Sequence, residues 1–75
     1  MKFTVYFLNH TTGVIISACR TAMCADSAYN NFRRYLRHHG DLQAGETYNI
    51  IIYSGWRDLS AVPYEELQRQ AKVAR

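Results

Sequence analysis

Hydrophobic and polar positions change their period several times along this chain, and each change marks an element. In Lys2 to Leu8 (KFTVYFL), Phe3, Val5 and Phe7 alternate onto one side and Tyr6 and Leu8 onto the other. Apolar groups on both faces predict a central strand rather than an edge one. Asn9-His10-Thr11-Thr12-Gly13 reads as a turn, because Asn and Gly tolerate positive φ and Thr hydroxyls bond local backbone. Val14 to Arg20 (VIISACR) predicts a second strand, and the short link makes the pair an antiparallel hairpin.

From about Ala25 to His39 the period becomes helical. Ala25, Ala28, Tyr29, Phe32, Tyr35, Leu36 and His39 fall on one arc, with Asn30, Asn31, Arg33, Arg34, Arg37 and His38 opposite. Gly40 follows where a left-handed cap is wanted, and Arg37, His38 and His39 complement the negative end of the helix. Asp41 to Gly45 is a loop. Thr47 to Ser54 (TYNIIIYS) predicts a third strand, with Tyr48, Ile50 and Ile52 on one face and Ile51 and Tyr53 on the other. Gly55 stops it, and Trp56 to Val62 is irregular, with room for a short extra strand. Pro63 suits a first helical turn, and Glu65 and Glu66 suit its positive end. Tyr64, Leu67, Ala71 and Ala74 then make a thin apolar stripe, with Lys72 and Arg75 closing a second helix.

The expected architecture is a small α+β domain of order β-β-α-β-α, residues 1–75 forming a single unit. The third strand lies most simply beside the first. The sheet is then three-stranded and antiparallel, of order 2-1-3, with a long helix on one face and a C-terminal helix. A chain of 75 residues buries only roughly 60–65% of its unfolded surface, so its stability margin is thin. A hydrophobic content of 48% still excludes a disordered tail. Two cysteines, Cys19 and Cys24, make no disulfide framework. Met1 to Leu8 lacks the pattern of a signal peptide, and no apolar run approaches a membrane span. A cytoplasmic, reduced protein without a membrane partner is expected.

Chemistry is thinly represented. Glu65 and Glu66 are the only adjacent acids, and consecutive helix residues point about 100° apart, so they cannot flank one bond. Cys24 near a helix start suits a lowered pKa, yet no base and orienting group accompany it. Cys19, Cys24, His38 and His39 have the wrong spacing for zinc. No glycine pattern forms a phosphate loop. The expectation is no enzyme, no metal and no cofactor.

Binding is better represented. Arg33 and Arg37 are four residues apart, as are Arg34 and His38, so all four project from one side of the helix. Guanidinium groups there can grip phosphates or carboxylates, although the solvated face of an amphipathic helix accounts for the same residues. Ten aromatic residues mostly suit a core. Tyr53 and Trp56 are candidate anchors for a partner, and Tyr6, Tyr48, Tyr53 and Trp56 are candidates for base stacking on an open sheet face. A net charge of +3 permits nucleic acid or an acidic protein patch without requiring either. An uncovered second sheet face would favour a partner or a homodimer.

The stretch TAMCADSAYNNFRRYLRHHG, set between a hairpin and the strand YNIIIYSGW, resembles in layout the small phage-encoded accessory proteins that include anti-CRISPR inhibitors. The resemblance spans most of the chain in element order and rests on no diagnostic motif, so it carries over no functional residue. It implies a non-catalytic protein that docks on a host protein or nucleoprotein complex. Arg33, Arg34, Arg37, His38, Tyr53 and Trp56 are the binding residues expected from the chain itself. The competing expectation is a small DNA- or RNA-binding module using the same arginines.

Overall fold

The computed structural model describes all residues from Met1 to Arg75. Strand β1 (Lys2–Asn9) pairs antiparallel with β2 (Ile15–Thr21) on one side and with β3 (Thr47–Ser54) on the other. Helix α1 (Ala25–His38) connects β2 to β3 across one face of the sheet. A short helix α2 (Tyr64–Leu67) and a two-residue strand β4 (Lys72–Val73) complete the chain. The sheet is antiparallel, of order β2-β1-β3-β4.

Strand β1 is central, as its two-sided apolar pattern requires, and seven of its eight residues are buried. Phe7 and Val5 point to the α1 side, where they meet Phe32, Leu36, Leu42, Tyr48 and Ala74. Tyr6 and Leu8 point to the other side and pack with Leu67, Ile51, Tyr53 and Val62. Two apolar clusters thus share one strand.

Asn9 ends β1 completely buried and fully used. Its Oδ1 accepts from the amides of Thr11 and Thr12, shaping the hairpin turn. Its Nδ2 donates to the carbonyl of Asp41 and to Glu46, tying that turn to the loop after the helix. Helix α1 closes on Gly40, at φ +81°, where a left-handed residue lets Asp41 N donate to Leu36 O at 2.9 Å and Gly40 N to Arg37 O at 3.3 Å. The chain is thereby turned toward Leu42, which is buried under the helix.

Several expectations change. The sheet has four strands, not three, and the second strand runs Ile15–Thr21 rather than Val14–Arg20. The predicted C-terminal helix is a single turn. It stops at Leu67, and Lys72, expected to close it, instead pairs with Tyr48 in β4. Leu67 and Ala74 were expected on one stripe but enter opposite apolar clusters. An alanine-rich stripe buries too little to hold a longer helix. The chain gains more by turning at Gln70, φ +52°, and pairing with Thr47 and Tyr48 of β3, just before which Glu46 O accepts from Ala74 N. Of the predicted inward arc of α1, Ala28, Phe32 and Leu36 are buried, whereas Ala25, Tyr35 and His39 are exposed. A helix on a twisted sheet buries a narrower stripe than the arc suggests, and Tyr35 becomes a flank, its ring stacked with Phe32 and covered by Arg20.

The second sheet face is covered by this chain's own Gly55–Leu67 segment. Tyr6 donates its hydroxyl to Asp58 O, Ser17 to Leu59 O and Thr4 to Gly55 O, so the irregular stretch is held by its carbonyls. Leu67 then plugs the cluster around Tyr6.

Candidate functional site

On the outer side of α1, Asn30, Arg33, Arg34, Arg37 and His38 line one open groove of about 580 Å3. No carboxylate and no apolar side chain contributes to it. The spacing of three and four residues that α-helical geometry stacks along one side brings these five together. Arg34, Arg37 and His38 stand exposed, free of the packing that would otherwise occupy them.

Arg33 differs. It is half-buried, and its Nε donates to the hydroxyl of Tyr48 at 3.1 Å, with the Tyr29 hydroxyl 3.4 Å from the same oxygen. A buried strand residue therefore fixes one guanidinium of the groove from beneath. Burial opposes ionisation of Tyr48, but its hydrogen bonds with Tyr29 and Arg33 and the charges of Arg33 and Lys72 outweigh it and hold the hydroxyl below its ordinary value. Tyr29 moves the other way, pushed up to about 12 by burial and then by its hydrogen bond to Tyr48. Tyr48 was read in the sequence as a strand residue and a candidate for base stacking, not as the support of an arginine. Its alternation with Ile50 and Ile52 was the signal that it faces the helix.

Tyr53 and Trp56 lie elsewhere. Tyr53 is on the sheet face opposite α1, edge-on to Tyr6 at 5.6 Å, with the Arg57 guanidinium 4.1 Å from its ring and its hydroxyl on Glu66. Trp56 is 59% exposed beyond the end of β3, with Lys2 Nζ 4.6 Å from its ring. The structure thus brings Arg33, Arg34, Arg37 and His38 into one groove and leaves both aromatic anchors outside it. The base-stacking platform does not form. Tyr48 faces the helix, Tyr6 is 1% exposed, and strand alternation keeps the two on opposite faces.

The Tyr53–Glu66 contact makes a pH prediction. Burial, followed by the hydrogen bond to Glu66 and its negative charge, pushes the Tyr53 hydroxyl up to about 12. A pKa raised in the folded state contributes stability that is complete below the unfolded value near 10 and is lost as pH rises through the folded one. Ultraviolet titration of tyrosinate should show one fewer late-ionising tyrosine in Tyr53→Phe. In Glu66→Gln the same step should move down toward the ordinary range.

For reactive groups the structure offers little. Cys24 is exposed at the start of α1, and hydrogen bonds with the side chain and then the backbone of Ser27 hold its thiol below the ordinary value. No three His, Cys, Asp or Glu side chains converge on a point that could hold a metal ion. No helix is long and apolar enough to cross a membrane. Comparison with models of protein families, with curated proteins and with solved structures gave no match to this chain.

Proposed function

We propose that this chain is a non-catalytic binding protein that docks the basic face of α1 on an acidic surface of a host protein or nucleoprotein, in the manner of a phage-encoded inhibitor. The reading rests on one observation: three arginines, a histidine and an asparagine share a groove that contains no carboxylate. Such a lining attracts a polyanionic surface over a distance set by ionic strength and grips it through bidentate guanidinium contacts. Tyr48 supports this by holding Arg33 in place before contact, which lowers the ordering cost of binding.

The absence of any apolar side chain in the groove favours a second reading, a nucleic-acid-binding module gripping the phosphate backbone. Affinity capture from a bacterial lysate, with and without nuclease, separates the two. A protein partner retained after nuclease, and lost with Arg34→Glu/Arg37→Glu, supports docking on a protein. Recovery of nucleic acid alone supports the module. In either case each reversed charge should weaken binding by about tenfold, about 1.4 kcal/mol. A double variant that binds as tightly as the wild type excludes this face.

A further inference from the structure

The two edges of the sheet are built differently. The outer edge of β3 is partly closed by β4, and the groove beside it is lined by Glu66, Arg69 and Lys72. Charged side chains and a short covering strand are standard guards against pairing with another strand. The outer edge of β2 has no covering strand. It is a regular seven-residue strand without proline, its register against β1 is unbroken, and its one charge, Arg20, lies over the ring of Tyr35 with Nη1 donating to the Cys19 carbonyl at 3.0 Å.

Hydrogen-bonding alternation defines what that edge offers. Asn9 N donates to Val14 O, and Ala22 N donates to Met1 O, so the even residues of β2 direct their backbone groups toward β1. The amides and carbonyls of Ile15, Ser17, Cys19 and Thr21 therefore point outward, where no strand lies, and the Cys19 carbonyl has its second lone pair left for a partner beside Arg20 Nη1.

We propose that β2 pairs antiparallel with β2 of a second copy of this chain, about a two-fold axis at Ser17. Centred there, Ser17 meets its own counterpart, and Ile15 and Cys19 meet each other on the face covered by Gly55–Leu67. Ile16 and Ala18 meet on the α1 face. Every pair between Ile15 and Cys19 matches apolar with apolar or hydroxyl with hydroxyl, and the one charge of β2, Arg20, lies just beyond that span. The half-buried Ile16 and Ala18 and the 41% exposed Ile15 gain cover from the same pairing. A strand of another protein would have to supply this pattern, whereas a second copy carries it by symmetry. The result is a continuous eight-stranded sheet with both α1 helices on one face, so the two basic grooves point the same way.

Sedimentation of the wild type should give twice the chain mass of 8.7 kDa. Ser17→Lys and Ser17→Glu each place like charges directly opposite at the axis and should sediment at the single-chain mass with an unchanged far-ultraviolet spectrum. Their equimolar mixture should return to the double mass. As a check independent of those variants, Ser17→Cys in a Cys19→Ser/Cys24→Ser background should oxidise to a covalent dimer. Opposed hydrogen-bonded residues sit about 5.5 Å apart between Cα atoms, within disulfide reach. Ser54→Cys in that background, at the other edge, should stay single. A wild type at single-chain mass across the dilution series overturns the proposal, as does a dimer indifferent to Ser17→Lys or a failure of Ser17→Cys to crosslink.

Discussion

Phe32→Ala is expected to remove a large share of the stability of the fold. Phe32 is 1% exposed at the centre of the α1 stripe and packs in the larger apolar cluster with Val5, Phe7 and Leu36. Truncating a buried Phe to Ala costs about 3–5 kcal/mol, from lost transfer free energy and the cavity left behind. A chain of 75 residues has a total stability on the order of 4–11 kcal/mol at ordinary values per residue. The loss is thus a large share of the whole. Denaturant titration followed by far-ultraviolet circular dichroism should show the midpoint collapse while Arg34→Ala, on the exposed side of the same helix, leaves it within about 0.5 kcal/mol. A Phe32→Ala midpoint close to wild type would mean that α1 is not packed as described.

Leu67→Ala should act on a different part of the molecule. Leu67 is completely buried in the smaller cluster with Tyr6 and Leu8, and it is the buried residue of α2. Its truncation costs about 2–5 kcal/mol on the usual scale for Leu to Ala. Beyond the partly buried Val62, the Gly55–Leu67 cover is held by hydrogen bonds with Lys2, Thr4, Tyr6, His10, Ser17 and Tyr53. Each contributes only about 0.5–1.5 kcal/mol net. Losing the plug should therefore detach the cover before it unfolds the sheet. Hydrogen exchange should accelerate across residues 56–71 while amides of β1 and α1 keep most of their protection. Exchange that rises uniformly over the whole chain would show that the cover and the sheet form one cooperative unit.

Much of this architecture was legible in the residues, for reasons that differ by element. The two-sided pattern of Phe3, Val5 and Phe7 against Tyr6 and Leu8 could be satisfied only by a strand with neighbours on both edges and apolar cover on both faces. The spacing Ala28, Phe32, Leu36 with Gly40 behind it specifies a helix and its stop locally. The basic groove follows from the same helical period, because the arginines occupy the side that the buried residues leave free. β4 could not be read this way. Two residues, Lys72 and Val73, have no pattern of their own and are a strand only because Thr47 and Tyr48 are there to pair with them. The end of α2 at Leu67 escaped for the same reason, since the competing interaction lies far away in sequence. Tyr53 and Trp56 were grouped with the arginines by residue type alone, and residue type says nothing about which side of a sheet a ring will occupy.

The two-sided position of β1 also bears on the order in which the molecule can form. Strand β1 precedes the other elements in order yet ends up in the middle of the sheet, and each of its faces is sealed by a residue far along the sequence, Leu67 on one side and Ala74 on the other. While synthesis proceeds, the hairpin and then the helix can assemble around it, but neither interior is shut until Leu67 and Ala74 have been laid in place. Contacts between such distant positions form late and slow the search. Until Leu67 is in place, the molecule is an unfinished sandwich with Tyr6 and Leu8 still bare.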